Sequence, residues 1–194
     1  MIKVEKLIKN YGDFEAVKSI DFSINHGEIV GFLGANGAGK STTLKILTGY
    51  LTPTSGNVLI NNLNIETHSH DIKKMIGYLP ESNPLYKDMF VYDLLKFTAN
   101  TRKIFNNDFK NAFEKVISQC GLKDVIHKKV GECSKGYKQR VGLACAMIHD
   151  PEILILDEPV TGLDPNQIIE IRRLIKNLGK EKLVLMSSHI LQEI

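Results

Sequence analysis

The chain has 194 residues, of which 43% are hydrophobic, and a formal net charge of +3. This length supplies one well-buried core with at most a small appended lobe and excludes two independent domains, while the mild, dispersed charge gives no reason to expect nucleic acid as a partner. The longest apolar runs, such as Ile153 to Leu156, fall far short of the ~20 residues that span a bilayer, and the three cysteines lack the spacing of a zinc site or a disulfide framework.

The N-terminal region reads as a pair of strands. Met1 to Ile8 alternates apolar and polar residues and lacks the unbroken apolar core of a secretory signal, so we expect a cytoplasmic protein. A second strand pattern, Ala16 to Ile24, follows the turn-forming residues Asn10 to Asp13, which predicts an antiparallel pair. Tyr11 falls in the predicted turn, where its ring could stack on a nucleotide base or simply pack against the protein.

A glycine-rich loop comes next. The apolar run Ile29 to Leu33 leads into Gly34-Ala35-Asn36-Gly37-Ala38-Gly39-Lys40-Ser41-Thr42, where a helical pattern begins. Strand, loop and helix in this order, with Lys-Ser at this offset, are typical of a P-loop, whose backbone N–H groups and helix N-terminus surround a phosphate chain. A bare glycine turn before a helix would explain the glycines but not the Lys-Ser pair. We therefore expect this loop to bind phosphates.

Specific roles follow from the P-loop pattern. Lys40 is expected to reach the β- and γ-phosphates as a catalytic point charge, and the Ser41 hydroxyl to ligate Mg²⁺. The remaining phosphate-binding positions are expected at Gly34, Asn36, Gly37, Gly39 and Thr42.

In the middle of the chain the pattern of apolar residues changes from that of strands to that of helices. Ile76 to Leu79 has the pattern of a strand, and from Val91 onward apolar residues recur at helical spacing with no strand between them. This pattern predicts a helical lobe that stands off the main sheet. The join from Pro80 to Tyr86 contains two prolines and several loop formers, so it is either a hinge or a plain connecting loop.

A second anion-binding element is predicted after this lobe. Ser134 is a good N-cap for the apolar-faced helix that follows, and Gly136 leaves room close to its first turn. Because a helix start with a small hydroxyl and a glycine exposes unpaired N–H groups, this segment is expected to bind phosphate. It is far from the first loop in the sequence.

Two carboxylates end the next strand. The run Ile153 to Leu156 is apolar throughout, as in a buried parallel strand, and leads into Asp157, Glu158 and Pro159. We expect Asp157 to hold Mg²⁺ and Glu158 to accept a proton from the attacking water; a solvated acidic strand end is the plainer alternative. A last strand runs into His189, which is either structural or placed to bond a γ-phosphate.

Together these residues resemble the nucleotide-binding subunit of an ATP-binding cassette (ABC) transporter. Residues 34–42 resemble Walker A, 133–140 the family's signature, 153–158 Walker B, 161–165 the D-loop, and His189 the switch histidine. The resemblance covers nearly the whole chain. The signature is its specific part, because other P-loop proteins do not pair Walker A with it at this separation. Residues 76–81 and 134–140 look most similar to bacterial ABC-2-type exporter ATPases, including those associated with gliding motility.

The resemblance implies an α/β fold of the P-loop ABC-ATPase type in a single domain, 1–194. A mixed-sheet core with an N-terminal antiparallel β subdomain would comprise 1–80 and 150–194, and an inserted α-helical subdomain about 85–149. It implies ATP and Mg²⁺ as cofactors and ATP hydrolysis coupled to transport. Two copies would sandwich two ATP molecules, each held between the P-loop of one chain and Ser134 and Gly136 of the other.

The resemblance also implies a membrane partner. An integral-membrane permease would be contacted through residues 81–95, in which Leu85, Tyr86, Met89 and Phe90 would grip a permease helix; these side chains could instead belong to the core of the lobe. The protein would then be peripheral on the inner face of the cell membrane. A soluble ABC ATPase that acts on ribosomes or nucleic acid is the alternative, although the second cassette or coiled coil of such proteins does not appear here.

Three departures from the family pattern bear on function. Glu81 stands where the family has glutamine, and it keeps an oxygen for the metal or its water. Cys133, Lys135 and Tyr137 replace leucine, glycine and glutamine, which loosens the signature. The chain ends shortly after His189, before the family's last strands and helices, so the resemblance implies a chain truncated at its C-terminus.

Overall fold

The computed structural model describes residues 1–189, which contain two four-stranded sheets and six helices of seven or more residues. The strands are β1 (Ile2–Tyr11), β2 (Phe14–Ile24), β3 (Ile29–Leu33), β4 (Ser55–Ile60), β5 (Leu63–Asn64), β6 (Ile76–Leu79), β7 (Ile153–Leu156) and β8 (Leu183–Ser188). The helices are α1 (Lys40–Leu47), α2 (Ser69–Met75), α3 (Val91–Thr101), α4 (Asn106–Cys120), α5 (Lys135–Met147) and α6 (Pro165–Leu178).

The core sheet has the order β3-β8-β7-β6, and its described strands all pair in parallel. All four residues of β7 are fully buried, because a parallel strand is covered on both faces. The carboxyl ends of β3, β7 and β8 consequently meet at one edge of the sheet. The predicted α/β P-loop fold is confirmed, with antiparallel pairing confined to the other sheet.

The second sheet is antiparallel, in the order β2-β1-β4-β5. Its inner face shares one apolar cluster with α1 and the core sheet, to which Ile2, Leu44 and Ile155 contribute. The predicted hairpin is present, but its strands are longer than expected: Tyr11 is the last residue of β1 and pairs with Phe14. Only Gly12 and Asp13 form the turn. This sheet therefore places Tyr11 beside the phosphate loop.

The segment between β6 and β7 is helical, as predicted. Helices α3, α4 and α5 pack around an apolar cluster that includes Leu95, Val116 and Leu143 and continues to Leu156 and Met186 on the core sheet. This continuity ties the helical lobe to the strands that carry the site. Within residues 1–189, none of the helices is long and apolar enough to cross a membrane.

The three cysteines are free thiols, as expected. Burial raises the pKa of Cys120 to about 12 and that of Cys145 to about 11, so both remain protonated at neutral pH. Cys133 is also buried, and burial raises its pKa. The thiols therefore contribute packing rather than reactivity.

Candidate functional site

The phosphate loop curls between β3 and α1, and glycine is required where it turns. Gly37 and Gly39 have φ values of 83° and 85°, a region that L side chains avoid. Gly39 also passes close to β2, because a Cβ there would lie 2.3 Å from the backbone oxygen of Ala16. The N-terminus of α1, immediately after Gly39, is thereby held against β2 with its unpaired N–H groups exposed to the loop.

Substituting Gly39 by alanine should cost more stability than the same change at Gly27. Both glycines have positive φ, but the space around Gly27 is open. We expect Gly27→Ala to lower the free energy of unfolding by about 1 kcal/mol through backbone strain alone, and Gly39→Ala by about 2 kcal/mol more through the clash with Ala16. Urea unfolding of both variants measures the difference. Equal losses of unfolding free energy in the two variants would contradict the close approach of Gly39 to Ala16.

Lys40 folds back on the phosphate loop. Its Nζ donates to the carbonyl oxygens of Gly34 at 2.6 Å and Ala35 at 3.1 Å, and lies 3.6 Å from Glu158 Oε1. The side chain is only 9% exposed, so its interaction with Glu158 is weakly screened by solvent. Lys40 thus joins the phosphate loop to the carboxylate at the end of β7.

The Ser41 hydroxyl and Asp157 lie in direct contact. Ser41 Oγ donates to Asp157 Oδ1 at 3.0 Å, and Ser187 Oγ donates to the same oxygen at 2.7 Å. These oxygens suit Mg²⁺, which typically takes one or two protein ligands and completes its shell with water and substrate phosphates. Within residues 1–189, no cluster of three or more His, Cys, Asp or Glu could hold a metal ion. Ser41 Oγ and Asp157 Oδ1 are thus of the right chemical type and close enough together to supply part of a Mg²⁺ shell.

Glu158 is buried, and two side chains contact one oxygen of its carboxylate. Thr161 Oγ1 donates to Glu158 Oε2 at 3.1 Å, and His189 Nδ1 lies 2.8 Å from the same oxygen. The backbone of Glu158 has φ 49°, and its N–H donates to Ser187 Oγ. Left-handed backbone at a non-glycine residue is strained and concentrates at functional sites. Glu158 is accordingly the most constrained of the predicted catalytic residues.

These residues surround an open cavity of about 340 Å³. Its lining combines residues 36–42 of the phosphate loop with Tyr11, Glu81 and Glu158. The volume lies at the lower end of the range for small-ligand pockets. Tyr11 is 48% exposed at the edge of this cavity, with Lys9 Nζ 5.4 Å from its ring centroid. The structure therefore brings the predicted phosphate-binding, metal and base residues to one place.

Ser134 and Gly136 do not line this cavity. Ser134 caps α5, as predicted, with its Oγ accepting the Tyr137 N–H at 3.3 Å, and it is exposed. Gly136 is buried against α6, because a Cβ there would lie 2.8 Å from the Gln167 side chain. The start of α5 is therefore exposed at Ser134 and lies outside the lining of this cavity.

Contacts that were not predicted from the sequence hold this helix in place. Gln139 Nε2 donates to the Pro159 carbonyl at 2.7 Å, which ties α5 to the turn after Glu158. Asn83 Nδ2 donates to the Lys138 carbonyl at 2.9 Å, and a Cβ on Gly142 would collide with the Asn83 side chain. The start of α5, the turn after β7 and the segment after β6 are thus bonded together. The hydrogen bonds from Ser187 to Asp157 and from Thr161 to Glu158 were not predicted either.

The fold and the site define a P-loop nucleotide-binding protein, since a strand, phosphate loop and helix stand beside a parallel strand that ends in Asp157 and Glu158. The sequence matches the ABC transporter family over residues 17–161. The chain belongs to this family.

Known proteins resemble the chain over its full length. It is 42% identical to the bacitracin transport ATP-binding protein BcrA of Bacillus licheniformis, covering 100% of this chain and 63% of BcrA. The structure of cbiO1 from Clostridium perfringens, part of the ABC transporter complex cbiONQ, has a TM-score of 0.89 and 31% identity over 100% of this chain and 80% of its own. The ATP-binding cassette MJ0796, a dimer in a post-hydrolysis state bound to ADP and Pi, has a TM-score of 0.87 and 25% identity, covering 100% of this chain and 90% of its own.

Proposed function

We propose that this chain is the ATP-binding and ATP-hydrolysing subunit of an ABC exporter, of the ABC-2 type. The observation that carries the proposal is the position of Glu158, which lies beside both Lys40 of the phosphate loop and His189. The name of BcrA, a bacitracin transport ATP-binding protein, supports a role in transport. Release of phosphate from Mg-ATP by the protein with its membrane subunit tests the proposal, and no release would contradict it.

In this proposal each side chain acts on ATP at a stated atom. The N–H groups of the phosphate loop and Lys40 Nζ bind the phosphates, and Tyr11 stacks on the base. Ser41 Oγ and Asp157 would hold Mg²⁺, and Glu81, which lines the same cavity as Ser41, would supply a further oxygen to the metal or its water. Mg²⁺, when bound, neutralises charge on the phosphate oxygens.

Glu158 takes the proton of the attacking water. Its carboxylate is buried and held by Thr161 and His189, so the base is preorganised before the nucleotide arrives. His189 then has two tasks: it orients Glu158 through Nδ1 and bonds the γ-phosphate. Lys40 releases its loop carbonyls to meet the phosphates.

Two copies build each site jointly. Ser134 is exposed at the start of α5 and does not line its own cavity, so it can face the nucleotide of a second copy. Gly136, the other residue expected to face that nucleotide, lies in the same turn but is buried against Gln167 of its own chain, so the proposal rests on Ser134. Dimeric MJ0796 with ADP and Pi supports this arrangement. Hydrolysis removes the γ-phosphate that joins the two copies, and the dimer opens.

A permease partner is proposed at residues 81–95, with the protein cytoplasmic and peripheral on the inner face of the membrane. Leu85 and Met89 pack against the core of the lobe, whereas Tyr86 is 60% exposed and Phe90 is 44% exposed. Tyr86 also contacts Phe97 of α3 edge to face, with ring centroids 5.8 Å apart. We term the three exposed rings of this region the aromatic patch: Tyr86, Phe90 and Phe97.

Removal of this patch should uncouple transport from ATP binding. We expect Tyr86→Ala or Phe90→Ala to reduce permease-stimulated ATPase activity by about tenfold, since exposed aromatic anchors carry much of an interface's binding energy. Nucleotide affinity should be unchanged because neither ring lines the nucleotide cavity. Phe105→Ala removes a similarly exposed ring outside the patch and should retain coupling. Equal loss of nucleotide binding and coupling would indicate misfolding instead.

A further inference from the structure

Phe14 lies beside the nucleotide cavity, and the proposed function gives it no task. It is the first residue of β2 and is 63% exposed, and its ring contacts no other aromatic ring within residues 1–189. It lines the cavity of about 340 Å³ together with Tyr11 and residues 36–42 of the phosphate loop. A single exposed ring elsewhere on the surface would need no explanation, but this ring shares a cavity with the proposed base-binding tyrosine.

Tyr11 and Phe14 close the hairpin between β1 and β2. They are opposite each other in the strand register, with only Gly12 and Asp13 between them. Side chains that are directly opposite in an antiparallel pair lie on the same face of the sheet, with Cβ atoms about 5 Å apart. The hairpin therefore presents two neighbouring rings to one cavity. We term residues 11–14 the hairpin tip.

The position of Phe14 relative to the phosphate loop is fixed through β2. Ala16, two residues further along this strand, lines the same cavity. Its backbone approaches the phosphate loop so closely that a Cβ on Gly39 would lie 2.3 Å from the Ala16 oxygen. A nucleotide whose phosphates occupy the loop would therefore meet Phe14 at a defined place rather than on a separate, movable segment.

The hairpin tip offers the cavity an aromatic surface, whereas charge is gathered elsewhere in the lining. Lys40 and Glu158, which line the same cavity, lie 3.6 Å apart at the carboxyl end of β7. Within residues 1–189 the Tyr11 side chain has no hydrogen bond or ion pair to either group, and Phe14 has no polar side-chain atom. The base is the aromatic part of a nucleotide, so it suits the two rings, and the phosphates suit the loop and its lysine.

We propose that Phe14 is a second base-binding residue and that a purine base contacts both rings of the hairpin tip. This inference rests on the proposed function and deepens it, because it states how the nucleoside part of ATP is recognised. Stacking on an aromatic side chain uses the face of the base and not the hydrogen-bonding groups at its edge. A purine, with two fused rings, therefore gains more from two adjacent aromatic side chains than a pyrimidine does.

Binding of ATP and of inorganic tripolyphosphate to Phe14→Ala tests the assignment, because both ligands carry three phosphates and only ATP has a base. We expect the affinity for ATP to fall about tenfold and the affinity for tripolyphosphate to stay as in the wild type. Phe14→Tyr keeps an aromatic ring and should bind ATP as the wild type does. Phe105→Ala removes a similarly exposed ring outside the cavity, so this matched control should leave both affinities unchanged.

A pyrimidine nucleotide gives a second readout. CTP has the ribose and the phosphates of ATP but a smaller base, so Phe14→Ala should lower the affinity for CTP by less than the affinity for ATP. The preference of the wild-type chain for ATP over CTP should therefore shrink in the variant. Equal losses for ATP and CTP would place Phe14 against the ribose and would overturn its assignment to the base.

The remaining outcomes separate failure of the inference from failure of the proposed function. If Phe14→Ala binds ATP as tightly as a wild-type chain that also hydrolyses it, the inference is overturned while the proposed function stands. If the variant loses ATP and tripolyphosphate affinity equally, Phe14 supports the phosphate loop instead of the base, and the inference is again overturned. If the wild-type chain binds no ATP, the proposed function fails and the inference fails with it.

Discussion

Glu158→Gln should abolish turnover without abolishing ATP binding. The amide keeps the size of the side chain but cannot accept a proton from water, and a general base contributes about 100-fold to 10,000-fold to a rate. We expect hydrolysis to fall by at least about 100-fold. Because the γ-phosphate then persists, the variant should accumulate as an ATP-bound dimer in Mg-ATP. Phosphate release and gel filtration measure the two effects.

Glu114→Gln provides the control for this variant. Glu114 is exposed on α4, and the same chemical change there should leave the ATPase rate and the monomer–dimer distribution as in the wild type. A Glu158→Gln protein that stays monomeric in saturating Mg-ATP would show that Glu158 is not the base or that the described chain does not dimerise alone. Retention of full hydrolysis would exclude Glu158 as the base outright.

Ser134→Asp should stop hydrolysis through the partner's site. Aspartate is as good an N-cap as serine, so α5 should keep its start, but its negative charge would repel the γ-phosphate of the facing copy. We expect loss of dimerisation and at least about a 100-fold loss of ATPase activity, with nucleotide still bound by the monomer. Ser134→Asn, which caps equally well without charge, should retain most activity.

A mixing experiment tests whether each ATP site is formed by two copies of the chain. Lys40→Ala removes the cation of the phosphate loop, and Ser134→Asp places a negative charge at the start of α5 where it faces the partner's nucleotide. Each variant alone should therefore be inactive. Each mixed dimer has one site with both intact elements, so the mixture should recover activity, up to about half of that of a wild-type dimer for each mixed dimer formed. No recovery in the mixture would mean that Ser134 acts within its own chain. Activity of Ser134→Asp alone would exclude its proposed role.

The local parts of the site could be predicted from sequence because their geometry is encoded over a few adjacent residues. The phosphate loop needs glycines at the positive φ positions 37 and 39, and the helix after it begins at Lys40. The apolar run of β7 signals burial on both faces and so locates Asp157 at the sheet edge. N-capping by Ser134 is likewise a one-turn effect.

Contacts between distant elements could not be predicted. Ser187 binds both Asp157 and the N–H of Glu158, but 30 residues separate the first pair and nothing local marks this serine among others. The bond from Arg102 to Lys73 spans 29 residues and depends on how the lobe docks on the core. The extent of β1 was also underestimated, since pairing with β2 carries the strand through Tyr11, beyond its alternating pattern.

The bond that Lys40 makes to its own loop has a consequence for ligand choice. In the structure its ammonium donates to the Gly34 and Ala35 carbonyls and lies 3.6 Å from Glu158, so an incoming phosphate must compete with two neutral acceptors and a carboxylate. We expect the terminal phosphates of a triphosphate to replace these carbonyls with charged oxygens, and a nucleoside monophosphate to do so less well. We therefore expect the affinity of a single chain for adenine nucleotides to increase with the number of phosphates, before a second copy or a membrane subunit binds.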